Sequence, residues 1–143
     1  MKIKASAEDY LEAILVLNKT NPHIRAVDIA QHMGYSKPSI SNVLKQFREN
    51  GYITIDNDRN ISLTDKGAKI ANRTYERHMI ISRFLCAIGV SEDVALEDAC
   101  RLEHGLSDES FECLSDYYNK IIEENHTQKN NHQGEETFPD GFY

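Results

Sequence analysis

The sequence predicts a mainly α-helical protein: a winged helix-turn-helix over the first half and an all-helical second half. Three observations carry this. Apolar residues recur three and four apart through most of the first 125 residues. Gly34 separates a short periodic segment from a second one that opens at Ser36 and Pro38. Two short β-like runs, residues 52–55 and 60–63, are joined by the polar turn Asp56-Asn57-Asp58-Arg59.

The first helix is expected over about residues 5–19, with Tyr10, Leu11, Ile14, Leu15 and Leu17 as its apolar face and Asn21-Pro22 as its stop. A short helix over residues 26–33 turns Val27, Ile29 and Ala30 inward. The next is capped by the Ser36 hydroxyl, tolerates Pro38 in its first turn, and buries Ile40, Val43, Leu44 and Phe47. Gly51 closes it. After the hairpin, Thr64 caps a long helix reaching about residue 88, with Gly89 as its stop. Ser91 caps a helix over about residues 92–105, and Ser107 another that ends near residue 125. Acids in both first turns suit the positive end of the helix dipole. This gives a winged helix-turn-helix domain at 1–72, a helical domain at 73–125 and a polar, disordered tail at 126–143.

The chain has 143 residues and a net charge of −7. That total conceals an asymmetry. Residues 1–72 carry 10 Lys/Arg against 8 Asp/Glu, whereas residues 73–143 carry 6 against 15. The first half can meet phosphates; the second can hold cations or self-associate. No apolar run is long enough to cross a bilayer and no export signal opens the chain, so a cytoplasmic protein with no membrane partner is expected. Three cysteines, Cys86, Cys100 and Cys113, suit reduced thiols or metal ligation better than disulfides. Cys86 and Cys113, flanked by Phe84, Leu85, Phe111 and Leu114, read as core thiols.

The solvent face of the Ser36 helix carries Lys37, Ser39, Ser41, Asn42, Lys45 and Arg48. Short polar groups of this kind reach base edges, and cations meet phosphates. Ser36 and Pro38 lie at the helix entry, and Arg59 at the hairpin tip is placed for a flanking phosphate or the minor groove. Taken singly, each could be an ordinary surface residue; turn, cap, apolar face and wing together point to double-stranded DNA.

Cys100, Glu103 and His104 stand at i, i+3 and i+4 on one helix and share a face. Thiolate, carboxylate and imidazole together make half a shell for a divalent transition metal. Asp9 and Glu12 are also one turn apart on the first helix, and His78 in the long helix could close the site. The alternatives are a small core residue at Cys100, a solvated pair at Glu103 and His104, and a structural histidine at His78.

Several segments together resemble the metal-dependent repressors of the diphtheria toxin repressor and manganese transport regulator type, in their compact two-domain form. They are Glu8-Asp9-Tyr10-Leu11-Glu12-Ala13-Ile14, Val27-Asp28-Ile29-Ala30, Ser36-x-Pro38-Ser39-Ile40, Leu63-Thr64-x-x-Gly67, Arg77-His78, Phe84-Leu85 and Glu97-Asp98-Ala99-Cys100-Arg101-Leu102-Glu103-His104 with Leu106-Ser107. The resemblance spans about residues 3–125. It implies metal ligation by Asp9, Glu12, His78, Glu103 and His104, as in manganese-type members. Cys100 falls where those members have a bridging Glu and iron-type members a Cys; Asp9 falls where iron-type members have a Met. The pattern is a hybrid. A second, iron-type ancillary site would want an acid and a His where Ser82 and Leu96 stand, so that site is not expected.

The expected function is therefore a metal-responsive transcriptional regulator and not an enzyme. Mn(II) or Fe(II) acts as corepressor, with Zn(II) or Co(II) able to bind in vitro. Leu96, Leu102, Leu106, Phe111, Leu114, Tyr118 and Ile121 exceed what one small domain needs, which points to a homodimer on a palindromic operator of metal-homeostasis genes. The metal would join the first helix to the helical domain and so set the spacing of the two DNA heads. A winged-helix regulator sensing a small molecule or redox state through Cys100 is the alternative.

Overall fold

The computed structural model describes residues 5–129. The elements are α1 (Ala5–Thr20), α2 (Ala26–Met33), α3 (Lys37–Glu49), β1 (Ile53–Ile55), β2 (Ile61–Leu63), α4 (Asp65–Ala87), α5 (Glu92–Gly105) and α6 (Asp108–Lys129). They fall into two compact units, one to Tyr75 and one from Glu76, with α4 running through the division.

The first unit is built on a single apolar cluster. Leu11 and Ile14 of α1, Ile29 of α2, Ile40, Leu44 and Phe47 of α3, and Ile53 and Ile61 of the hairpin are all buried in it. Rings of Tyr10, Phe47 and Tyr52 pack edge to face at centroid distances of 6.3 and 6.2 Å. β1 and β2 pair antiparallel, with Ile53 opposite Leu63 and Ile55 opposite Ile61. The amide of Ile61 also donates to the carbonyl of Ile24 at 2.9 Å, which fastens the wing to the turn before α2.

Local chemistry fixes the joints. Asp28 accepts a hydrogen bond from the Arg25 amide at 2.8 Å and starts α2. Gly34 ends α2 at φ +71°, in the left-handed region that a residue without Cβ enters freely. Thr64 accepts from the Gly67 amide at 3.2 Å and donates to the Gly51 carbonyl at 2.6 Å, so it both caps α4 and ties it to the strand entry. Gly67 permits that docking: a Cβ there would lie 2.0 Å from the Tyr52 carbonyl oxygen.

Several expectations need correction. Val27 is 52% exposed. It sits two residues before Ile29, roughly opposite the buried stripe at 100° per residue. The hydroxyls of Ser36 and Ser91 do not cap their helices; that of Ser36 pairs instead with the Ser39 hydroxyl at 2.9 Å. Ser107 does cap, accepting from the Ser110 amide at 3.1 Å. α6 continues to Lys129, four residues past its expected end, because polar residues 126–129 still form helix. The remainder of the expected tail, residues 130–143, lies outside the described residues.

In the second unit Ile81, Ser82, Ala95, Ala99 and Tyr118 are buried. Ala95, Ala99 and Glu103 recur at i, i+4 and i+8, so α5 turns one continuous stripe inward that ends in a carboxylate. Tyr118 belongs to this core rather than to an outer face, whereas its neighbour Tyr117 is exposed and its ring meets that of Phe84 edge to face. Leu102 and Val94 remain on the surface. Cys113 is exposed, not core, and Cys86 is half-buried.

Candidate metal centre and nucleic-acid interface

The buried stripe of α5 delivers Glu103 to His78 on α4. Glu103 is 2% exposed and His78 5%. Glu103 Oε2 lies 3.0 Å from His78 Nδ1, and Glu103 Oε1 lies 3.2 Å from His104 Nε2. Cys100, one turn earlier on α5, sets its Sγ 3.7 Å from the same His78 Nδ1. One ligand atom each from His78, Cys100 and Glu103 falls within a 4.8 Å span. Buried ionisable groups are tolerated only when paired or when they coordinate an ion. An imidazole, a thiol and a carboxylate at this separation fit a divalent transition metal. The donors are both hard and soft, the same mixture read from the sequence.

The electrostatics follow from burial and pairing. Burial alone would lower the pKa of His78. Hydrogen bonds to Cys100 and Glu103, and the Glu103 charge, more than reverse it and raise the value to about 10. Burial pushes Glu103 up, but hydrogen bonds to His104 and His78 and their charges bring it below the usual carboxylate value. A carboxylate held between two imidazoles is thus ionised and poised for a cation.

The remaining expected ligands, Asp9 and Glu12, are carried by α1 in the first unit. Asp9 is half-buried, and Glu12 is 8% exposed, on the helix whose Leu11 and Ile14 anchor the first unit's core.

Ser36, Lys37, Pro38, Ser39, Ser41, Asn42 and Lys45 all lie exposed at the start and on the open face of α3. The Ser41 hydroxyl is turned to its own helix, donating to the Lys37 carbonyl at 3.1 Å. Between α3 and the wing runs a cleft of about 750 Å³ whose lining includes Arg25, Lys37, Lys45, Arg48 and Arg59 against one acid, Asp56. The sequence reading missed Arg25. Its signal was available: a cation stands immediately before α2, the first helix of the helix-turn-helix.

Arg59 is held in an unusual conformation, φ +64°. The Asp56 side chain organises the turn around it, accepting from the amides of Asp58 at 2.9 Å and Asn60 at 2.8 Å. The Arg59 amide bonds the Asp56 carbonyl at 3.0 Å. Left-handed backbone at a non-glycine residue is strained, and such strain gathers at functional positions.

Comparison with known proteins agrees with both halves. Residues 2–61 match the family model described as iron dependent repressor, N-terminal DNA binding domain. Residues 64–131 match that of the iron dependent repressor, metal binding and dimerisation domain. The transcriptional regulator MntR of Escherichia coli O6:H1 is 36% identical over 107 residues, 75% of this chain and 69% of that protein. The HTH-type transcriptional regulator MntR of Geobacillus kaustophilus is 31% identical over 137 residues, covering 91% and 97%. The solved structure of the manganese regulator SloR superposes with a TM-score of 0.70 at 32% identity, over 79% of this chain. This chain spans about half the length of that one, 53%. No helix among the described residues is long and apolar enough to cross a membrane. With a reading head, a wing and a convergent donor set in the order of the two matching models, the chain belongs to the iron-dependent repressor family of metal-dependent transcriptional regulators.

Proposed function

We propose that this protein is a cytoplasmic repressor that uses Mn(II) or Fe(II) as corepressor. His78, Cys100, Glu103 and His104 hold the ion, and Asp9 and Glu12 join the shell. A homodimer then binds a palindromic operator of metal-homeostasis genes. The observation that carries this is the convergence of His78 Nδ1, Cys100 Sγ and a Glu103 oxygen within 4.8 Å. The assignment of Asp9 and Glu12 rests on the sequence resemblance.

The chemistry supplied by the ion is charge neutralisation and cross-linking. Acidic ligands gathered without a cation repel one another. An ion that recruits ligands from α1 as well as α4 and α5 couples the halves, and a coupling of about 1–3 kcal/mol changes DNA affinity by roughly 5–150-fold. Ser36, Lys37, Pro38, Ser39, Ser41, Asn42 and Lys45 present polar and cationic groups to the major groove. Arg59 reaches the flanking backbone or minor groove. A regulatory site whose donors are taken up by the metal leaves no nucleophile for catalysis, so the protein is read as a non-enzyme.

The test is an anaerobic fluorescence-anisotropy titration of a candidate palindromic operator with Mn(II), Fe(II) or Zn(II), with chelator as control. Binding should tighten with Mn(II) or Fe(II) and be lost on chelation. Binding that chelator leaves unchanged would refute the proposal.

A further inference from the structure

Arg77 precedes His78 in α4 and is equally enclosed, at 4% exposure. Its Nη1 donates to the Glu103 carbonyl at 3.1 Å and to the Leu106 carbonyl at 2.7 Å. Its Nη2 bonds Asp108 Oδ1 at 2.6 Å, and its guanidinium carbon lies 5.0 Å from the centre of the Phe111 ring. Glu103 is in the last turn of α5 and Leu106 is its C-cap; Asp108 opens α6.

The last carbonyls of a helix have no partner within it. Here one buried guanidinium supplies donors to two carbonyls at the α5 end and to a carboxylate at the α6 start. It also places a cation at the negative end of the α5 dipole. Glu103 is consequently held twice by adjacent residues of α4: by its side chain through His78, and by its carbonyl through Arg77. The turn so fixed is the one that carries Glu103 and His104, directly after Cys100.

We propose that Arg77 is a positioning residue for the metal centre. It fixes the last turn of α5 against α4 so that Glu103 and His104 meet the ion with His78 and Cys100. The planar fork is required, because an ammonium cannot span two carbonyls and a carboxylate in one geometry. This rests on the reading of the pocket as a metal site, and the test separates the two.

Co(II) is titrated into the full-length protein, following the thiolate-to-metal charge-transfer band of Cys100 and the visible d–d bands. Thermal melting of the metal-free protein is measured alongside. Arg77→Met should lower Co(II) affinity by roughly 10–100-fold, the usual loss when an outer-shell partner is removed, and should shift the d–d bands at temperatures where the protein is folded. A lower melting temperature with wild-type affinity and spectrum would overturn the proposal, since a purely structural residue behaves that way. Should Arg77→Met fail to fold, Arg77→Lys decides: reduced affinity and altered bands support the fork, and wild-type values overturn it. Cys100→Ser must abolish the charge-transfer band. If it does not, the metal-site reading has failed, and the inference about Arg77 with it.

Discussion

Glu103 and His78, 25 residues apart in sequence, form a buried pair with Glu103 Oε2 3.0 Å from His78 Nδ1. The pair is a proton-holding form of the site. Burial opposes the charge on His78, but Cys100 and Glu103 raise its pKa from 6.5 to about 10. Its contribution to stability is therefore complete below pH 6.5 and fades as pH rises through about 10. Glu103 is shifted the other way, so its contribution is present above 4.5 and fades as pH falls through its lowered folded value.

At neutral pH an ion must take the place of the His78 proton. Metal binding is expected to release a proton from His78, and a further one as Cys100 binds as thiolate, and to strengthen by up to ~tenfold per pH unit for each proton released, below the raised His78 value of about 10. Calorimetric titration in buffers of differing ionisation enthalpy measures the release directly. In Cys100→Ser, where the thiol proton is absent, affinity independent of pH with no proton released would show that His78 does not ligate.

Glu103→Ala or His104→Ala should abolish metal-dependent operator binding while leaving a folded dimer. Glu103 is the sharper case, because its loss leaves two imidazoles without their shared carboxylate. Anisotropy titration and sedimentation together check this. A variant that is dimeric and still responds fully to metal removes the residue from the site.

How far the sequence exposed this arrangement depended on range. Helix limits, the wing and its turn are set by neighbours three or four residues away, and periodicity finds them: α2 and α5 begin and end as read. Cys100, Glu103 and His104 share a helix, so their common face was also legible. The Glu103–His78 bond joins separate helices, and spacing alone could offer His78 only as a candidate. Inward or outward direction was weakest where both sides of a helix carry apolar residues. Tyr117 and Tyr118 differ only in angle around α6, and Cys113 has apolar sequence neighbours yet faces out. Hydroxyl caps failed at Ser36 because Ser39 offers its own hydroxyl as a nearby partner.

Cys100 is the softest donor of the set and the one that sets the hybrid character. Cys100→Glu replaces a thiolate by a hard carboxylate, and should shift the response towards Mn(II) relative to Fe(II). The ranking is read from operator binding at fixed free metal, taken under anaerobic conditions. An unchanged order would mean that selectivity is set elsewhere in the shell.

Arg59 combines a strained backbone, φ +64°, with a place in the cationic cleft beside Arg25 and Arg48. The two properties can be separated by substitution. Arg59→Gly removes the cation and relieves the backbone, so it should stabilise the protein slightly, or leave it unchanged, while weakening operator binding. Arg25→Ala removes a cation that caps no helix through its side chain. If each arginine meets one phosphate, each change weakens binding similarly on different sequences and lowers the slope of log affinity against log salt by ~1. Arg59 would differ if it enters the minor groove: its loss would then cost more on A·T-rich flanks than on G·C-rich ones. Titrations across a salt series on two operators with exchanged flanks decide between these. A slope unchanged in both variants would show that the cleft between α3 and the wing faces away from the DNA.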